Sequence, residues 1–136
     1  MSKGFGLLLF IFITAVALIL GAFLMRLLIS EIPCVSAELH LAKSFYLAEA
    51  GIEKAKWELS KDLNWHTDAR HFPEDDLPWL VRCARGHIEA FGDGYFKIIK
   101  EEGKNVIYAL GISKKALAII RVKYEIPFRQ VEWKLL

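Results

Sequence analysis

Cysteine and histidine are the residues of this chain that could bind a metal ion or take part in nucleophilic catalysis. Cys83 and His87 are separated by three residues, and His66 and His71 precede them. Thiolate and imidazole groups are common zinc ligands, so this combination suggests a zinc site. Structural zinc sites, however, present four ligands in close pairs, and the sequence lacks that spacing. We therefore expect no metal ion and no other cofactor.

Three further groups match catalytic or binding motifs only in part. The acidic run 74–76 lacks the alternating ligands and the glycine of a calcium loop. The glycine-rich turn 92–94 is not followed by the helix and Gly-Lys-Ser/Thr sequence of a phosphate loop. Cys34 would need a partnered histidine to act as a nucleophile, and the sequence gives no reason to place one beside it. We expect no enzymatic activity and no small-molecule substrate.

Charge is distributed so that the chain is neutral once its first 26 residues are set aside. All 16 acidic residues lie at or beyond Glu31, and the net charge of +2 corresponds to Lys3 and Arg26. A nucleic-acid-binding surface needs a cluster of basic residues to neutralise phosphates. The sequence therefore predicts no nucleic-acid partner.

An apolar run near the N-terminus predicts a membrane-spanning helix. Every residue from Phe5 to Met25 is apolar, glycine or threonine. At helical rise these residues span about 31 Å, close to the thickness of a bilayer's hydrocarbon core. The run is longer than the apolar part of a removable signal peptide, so we expect it to be retained. Lys3 before the run favours a cytoplasmic N-terminus, with residues from about Ser30 onward outside.

The two cysteines, Cys34 and Cys83, could form a disulfide if the C-terminal part is extracytoplasmic, where disulfides persist. The spacing alone does not bring their Cα atoms within the roughly 7 Å that a disulfide requires. A free, packed thiol at Cys34 is the alternative.

Beyond the apolar run, a second helical pattern predicts a helix that packs on a core. Apolar residues follow one another at intervals of 3, 4, 3 and 4, the spacing of one helix face. They are Phe45, Ala48, Ile52, Ala55 and Leu59. Between the two patterns lies Pro33, which we expect to kink or interrupt the helix.

The segment Asn64–Gly86 has no sustained period and reads as a long loop, with a short helix around Leu77–Arg82. Its interspersed aromatic residues would either pack against the core or form a partner-binding surface. Both interpretations stay open at this point.

The C-terminal third predicts antiparallel strands joined by short turns. The segments rich in β-branched and aromatic residues are Tyr95–Lys100, Asn105–Ser113 and Ala116–Ile126. His87–Phe91 and Val131–Leu135 could add outer strands, the latter only at an edge because Pro127 precedes it. The alternation in Ala116–Ile126 predicts a sheet with one buried face and one solvent-exposed face.

Three segments of this sequence resemble type IV pilins. Lys3-Gly4-Phe5, followed by the apolar run, is similar to the prepilin processing site, where a peptidase cuts after the glycine and methylates the new N-terminal phenylalanine. The stretch 42–55, AKSFYLAEAGIEKA, resembles a segment of PilX-type minor pilins, and the strands from Gly94 to Val122 are similar to their β region. The resemblance covers most of the chain except the loop.

This resemblance implies a pilin-like α+β fold, in which a long N-terminal helix packs against a small antiparallel meander of three to four strands. The corresponding segments are a short leader at 1–4, a transmembrane helix at 5–29, its extracytoplasmic continuation at 30–62, and a loop plus sheet domain at 63–136. Gly4 and Phe5 would then be the processing site.

The resemblance also implies a function in assembling or priming a type IV pilus or a type II secretion-like filament. Most pilins carry glutamate at the fifth position after the cut, where this chain has Leu9. Some minor pilins and pseudopilins proposed to lie at the filament tip also lack it, so Leu9 favours such a role over that of a major pilin. Leu9 and the 45–59 face would supply packing contacts within the helix bundle and the subunit.

The partners implied are membrane lipid, other pilins or pseudopilins, the inner-membrane assembly platform and the prepilin peptidase. The implied location is the inner membrane, crossed once with the C-terminal domain outside, and then a cell-surface filament with a role in adhesion or secretion. The alternative from another functional class is a single-pass membrane-anchored protein whose outer domain binds a partner or ligand, with 64–86 as its site.

Overall fold

The computed structural model describes residues 2–68, 75–126 and 129–136. It contains two helices and five strands in those ranges. They are α1 Ser2–Lys61, α2 Leu77–Arg82, β1 His87–Phe91, β2 Gly94–Lys100, β3 Val106–Ser113, β4 Ala116–Glu125 and β5 Arg129–Leu135. The chain divides into two compact units: the first ends at Ala37, and the second begins at Glu38.

Helix α1 continues through Pro33, so the expected interruption there is wrong. A proline inside a helix removes one N–H donor and so one hydrogen bond. The residues on both sides are mostly good helix formers, and they continue the helix despite this loss. Hydroxyl groups in this part of α1 bond to carbonyls one turn earlier: Ser30 donates to Leu27 at 2.7 Å and Thr14 to Phe10 at 3.0 Å.

In the first unit, every side chain described from residue 4 to residue 37 is exposed. The apolar ones are included, with Leu18 at 74% and Ile32 at 66% of full exposure. A helix that is apolar on all sides buries none of its surface by itself. Its surface is therefore available to lipid or to other helices.

In the second unit, residues 38–61 of α1 pack on one face of a five-stranded antiparallel sheet. The strand order is β1-β2-β3-β4-β5, a meander in which each strand pairs with its neighbours in sequence. The predicted pilin-like α+β fold is thereby confirmed. The sheet has one strand more than the upper number expected, because both outer segments, β1 and β5, pair with the central strands. β5 lies at an edge of the sheet, as predicted. Pro127, on which that prediction rested, lies outside the described residues.

Small residues allow α1 to approach the sheet very closely. A Cβ atom at Gly111 in β3 would overlap the Ser44 carbonyl oxygen and lie 2.5 Å from the Ala48 nitrogen. One turn further along the helix, a Cβ at Gly51 would lie 3.2 Å from the Ala109 Cβ. The backbones of α1 and β3 therefore meet with almost no side-chain volume between them, and apolar side chains close the contact on either side.

The expectation of one solvent-exposed sheet face is wrong. A second apolar cluster lies on the face opposite α1, where Leu80 of α2 is fully buried. The sheet residues of this cluster are Ile99, Tyr108, Leu110 and Ile119. The alternation in β4 correctly predicted which side chains lie on the same face of the sheet. The face that we expected to be solvent-exposed is covered by α2 and its flanking residues. The short helix itself was predicted with the observed bounds.

Candidate functional site

The N-terminal part of α1 is a candidate membrane span. The helix is long and apolar enough to cross a bilayer. Its most apolar 18 residues have a mean hydropathy of 3.0, and none of them is buried. Gly4 and Phe5, which the resemblance makes the processing site, lie in this helix, and Phe5 is 73% exposed. Leu9, which replaces the expected glutamate, is 50% exposed.

The five residues predicted to form the packing face of α1 lie against the sheet to different extents. Ala48, Ile52, Ala55 and Leu59 are buried in the core between α1 and the sheet. Phe45 is only half-buried at its margin, where its ring meets that of Trp133 in β5 edge-to-face with centroids 6.1 Å apart. Phe45 thus marks the β5 side of the helix.

The closest contacts of α1 were missing from that prediction. Ser44, Leu47 and Gly51 are buried together with the predicted residues. The Ser44 hydroxyl donates to the Leu41 carbonyl at 2.7 Å, so this polar group is satisfied within the helix. An apolar-periodicity search omits serine and glycine, although small residues at helical spacing are the signal of a close helix contact.

Two polar contacts attach the beginning of the second unit's helix segment to the sheet. The His40 ring lies 3.1 Å from the Ser113 hydroxyl, and Lys43 forms an ion pair with Asp93 at 2.7 Å. The hydrogen bond from Lys43 is the main cause that lowers the pKa of Asp93 below its ordinary value. Both contacts are near the turns at one end of the sheet.

Cys34 and Cys83, the two cysteines considered for a disulfide, are both free and exposed. They belong to different units of the chain, so their pairing stays a prediction. The Cys34 thiol points back along its own helix, 4.0 Å from the Ser30 carbonyl. Cys83 follows α2, where its N–H bonds to the Trp79 carbonyl.

Among the described residues, no group of three or more histidine, cysteine or acidic side chains could hold a metal ion. His66 bonds the Asn64 carbonyl, and His87 lies 3.5 Å from Glu89. Two residues of the suggested metal motifs, His71 and Glu74, lie outside the described ranges.

A buried guanidinium on the α2 side of the sheet was not foreseen. Arg121 in β4 is 7% exposed and donates to Asp75 and to Glu132 in β5, each at 2.6 Å. Burial opposes its charge, but the hydrogen bond to Glu132 and the charge of Asp75 outweigh this and raise its pKa. These bonds attach the residues before α2 and strand β5 to β4, which indicates a structural role.

Two lysines of β2 are also buried. Lys97, at 7% exposure, lies on the α2 side of the sheet, and Lys100, at 3%, lies on the α1 side, where it pairs with Ile107. Burial lowers the pKa of both, and for Lys97 the charge of Asp68 opposes this effect. Lys97 donates to the Leu80 carbonyl at 3.3 Å. Asp68 accepts from the backbone N–H groups of Arg85 and Gly86. These bonds fix the described ends of the 64–86 loop on the sheet.

The aromatic residues of that loop, where described, pack on the two cores. Trp65 lies against the cluster under α1, and Trp79 against the cluster under α2. Phe72 lies outside the described residues. Of the two interpretations of the loop, Trp65 and Trp79 therefore support packing on the core.

An open apolar cleft of about 250 Å³ lies where the β1–β2 turn meets α1. The Tyr46 and Phe91 rings, 67% and 65% exposed, and the side chain of Leu47 line it. The Lys43–Asp93 ion pair borders the cleft, so its charges are already paired.

The two edge strands of the sheet are exposed along their whole described length. β1 carries Ile88 at 58% and Phe91 at 65% exposure, and β5 carries Trp133 at 42% and Leu135 at 51%. An edge strand presents unpaired backbone groups that can pair with another chain. β1 and β5 are therefore candidate interaction surfaces together with the cleft.

Comparisons with protein-family models, curated proteins and solved structures found no match for this chain.

Proposed function

We propose that this protein is a minor pilin or pseudopilin that takes part in assembling or priming a type IV pilus or a type II secretion-like filament. One observation carries the proposal. A single helix, Ser2–Lys61, has a first segment whose described side chains are all exposed and a last segment that is packed on a sheet. A subunit that moves from lipid into a helical filament core needs an apolar helix surface of this kind.

The length of the exposed apolar surface supports a filament over a simple anchor. Beyond the uncharged run, Ile32 and Val35 are still exposed, at 66% and 64%. Phe5 to Val35 would span about 46 Å at helical rise, well beyond the roughly 30 Å that the hydrocarbon core covers. Packing against other helices would cover the remaining apolar side chains, which lipid alone would leave in contact with water.

Leu9 supports a specialised position in such a filament. It lies half-exposed on the apolar helix, where other pilins carry a glutamate. A carboxylate in a lipid-like bundle is costly unless it is paired. A chain with leucine at this position avoids that cost in lipid, but it lacks the contact that a glutamate would make with a neighbouring subunit. A priming or tip subunit needs fewer such contacts than a shaft subunit.

The experiment that tests the proposal is the intact mass of the membrane-extracted chain, expressed with and without a prepilin peptidase. We expect the peptidase to remove Met1 to Gly4 and to add one methyl group to Phe5. Gly4→Val should abolish the mass change. Gly21→Val is the matched control, because a side chain at either glycine meets nothing within 4 Å, and it should be processed normally. An uncut wild-type chain in both samples would contradict the proposal.

The second candidate is a membrane-anchored protein whose outer domain binds a partner. The apolar cleft beside Tyr46 and Phe91 favours it, since exposed aromatic side chains are enriched at protein interfaces. In this case the site would be the cleft and not the 64–86 loop. Such a protein would keep its first four residues, or lose Met1 alone, in the same mass measurement.

A further inference from the structure

We infer that one end of the sheet, which we call the turn end (residues 91–95 and 112–117), lies on a lipid surface with anionic headgroups. The inference depends on membrane anchoring, which the proposed function and its alternative share, and not on processing at Gly4. All the contacts that carry it lie within the second unit, 38–136.

The strand registers place two turns side by side at this end. Phe91 pairs with Gly94 across the β1–β2 turn, and Ser113 pairs with Ala116 across the β3–β4 turn. Because β2 and β3 are neighbours in the sheet, both turns close the same end of it. Neighbouring strands are about 4.8 Å apart, so the centres of the two turns are about 10 Å apart. Side chains from both turns can therefore contact one surface together.

The turn end carries positive charge. Lys114 and Lys115 form the β3–β4 turn, both are exposed, and neither forms an ion pair with another described residue. The acidic residue of the β1–β2 turn, Asp93, is already paired with Lys43 at 2.7 Å. The charges of Lys114 and Lys115 are therefore uncompensated, and anionic lipid headgroups attract lysines of this kind.

The turn at the opposite end of the sheet has the opposite charge. The β2–β3 turn, 101–104, contains Glu101, Glu102 and Lys104, which gives it a net charge of −1. Lys104 pairs with Glu101 at 3.0 Å, and Glu102 is exposed. An anionic surface would attract the turn end and repel this one, so charge selects the end that meets the lipid.

Exposed aromatic and apolar side chains accompany the lysines. At the turn end, Phe91 is 65%, Tyr95 40% and Leu117 38% exposed, and Tyr46 lies beside Phe91 in the apolar cleft. Aromatic rings are enriched at the boundary between lipid and water, where an apolar ring and a polar edge are both accommodated. A lipid surface offers anionic groups and an apolar layer together, so it fits the lysines and the rings at once.

The backbone of Lys114 gives an independent indication. Its φ of 53° lies in the left-handed region, where the first position of a two-residue hairpin turn usually has glycine or asparagine. A lysine here is strained, and glycine would relieve the strain. Strained residues of this kind cluster at binding sites. A contact made by its charge therefore explains a lysine at this position better than the stability of the turn does.

Anchoring makes a weak attraction sufficient. The same chain carries the candidate membrane span in α1. A tethered domain meets a lipid surface at a high effective concentration, so low affinity is enough to keep it there. Each lysine near an anionic surface strengthens the attraction about fivefold, so the two lysines together contribute about 25-fold.

Site-directed spin labelling of the full chain, reconstituted in vesicles of phosphatidylcholine and phosphatidylglycerol, tests the inference. In a Cys34→Ser, Cys83→Ser background, Leu117→Cys labels the turn end, Glu102→Cys the opposite turn, and Leu18→Cys the candidate span. Oxygen, which concentrates in lipid, and a water-soluble nickel chelate report the surroundings of each label. We expect oxygen to relax the labels at 117 and 18, and the nickel chelate to relax the label at 102.

Charge reversal supplies a matched pair of variants. Lys114→Glu with Lys115→Glu should reduce the lipid contact of the label at 117 by at least about 25-fold. Lys61→Glu with Arg129→Glu changes the net charge equally, at exposed positions where α1 ends and β5 begins, and should leave that contact unchanged.

Two further conditions separate charge from folding. Vesicles of phosphatidylcholine alone should reduce the lipid contact of the label at 117 as charge reversal does. Lys114→Asn removes one charge from a turn that asparagine tolerates, so it should leave the domain folded and reduce the contact about fivefold. Resistance to limited proteolysis confirms that each variant is folded.

Other outcomes would overturn the inference. A label at 117 that the nickel chelate relaxes in every vesicle would exclude lipid contact, and equal lipid contact without phosphatidylglycerol would exclude the role of charge. Shielding from both reagents that persists in detergent would assign the turn end to a protein partner. A label at 18 in water would refute anchoring and with it the proposed function, whereas a label at 18 in lipid with 117 in water would refute only the contact of the turn end.

Discussion

The two segments of α1, before and after residue 38, have the same secondary structure but differ in every described property of their surface. In the first, all side chains described from residue 4 to residue 37 are exposed, whether apolar or not. In the second, buried residues recur every three to four positions and are mostly small, with Ser44, Ala48 and Ala55 fully buried. A continuous apolar surface can be solvated by lipid or by other helices, whereas a narrow face of small residues specifies one partner at close range.

The difference between the segments should be largest when a methyl group is added at a glycine, either Gly111 of β3, which contacts the second segment, or Gly21 of the first segment. In Gly111→Ala the new methyl group would overlap the backbone of α1 at Ser44, and a helix backbone cannot move aside as a flexible side chain could. We expect the free energy of unfolding of the outer domain to fall by about 4 kcal/mol, measured by urea denaturation in detergent. Gly21→Ala in the first segment meets nothing within 4 Å and should leave stability unchanged. Equal stabilities of the two variants would contradict the close contact.

Two isoleucines test the same difference without a steric clash. Ile52 is 5% exposed in the core under α1, and Ile32 is 66% exposed in the first segment. Ile52→Ala should lower the free energy of unfolding by about 2–4 kcal/mol, because it leaves a cavity, while Ile32→Ala should change it by less than about 0.5 kcal/mol. The same urea denaturation measures both. In the proposed filament, Ile32→Ala should instead weaken assembly. An Ile32→Ala variant that assembles normally but unfolds at lower urea concentration would contradict the roles assigned to the two segments.

The smallest effect concerns the ion pair between Lys43 and Asp93 at the beginning of the second segment. Its hydrogen bond lowers the pKa of Asp93 in the folded state. The pair therefore contributes stability above the unfolded pKa of aspartate, near 4, and this stability is lost as the pH falls through the lower folded pKa. Asp93→Asn should remove this part of the pH dependence, measured as urea midpoints between about pH 2 and pH 6. An unchanged pH profile would show that the exposed pair contributes nothing measurable, as is common at surfaces.

Most of the outer domain's secondary structure could be predicted from the sequence, because it is encoded locally. The bounds of α2 and β1 were predicted as observed, and those of β2 and β3 within one residue. Of the two outcomes predicted at Pro33, a kink or an interruption, the interruption is wrong, because a single lost hydrogen bond does not end a helix whose neighbouring residues favour it. Periodicity identified Ile52 and Leu59 as core residues, since burial on one face repeats at the helical period.

The sequence by itself determined which segments are helical or extended, and it predicted a membrane-length apolar helix, because side-chain type and spacing act within a few residues. Only the tertiary structure decided what covers the second face of the sheet, where α2 buries Leu80 and Arg121 joins Asp75 to Glu132. It also decided that Gly111 meets Ser44 and that β1 and β5 remain as edges. These contacts join residues far apart in the chain, so they depend on the topology of the sheet and on which faces are left uncovered. No local pattern of residues encodes either.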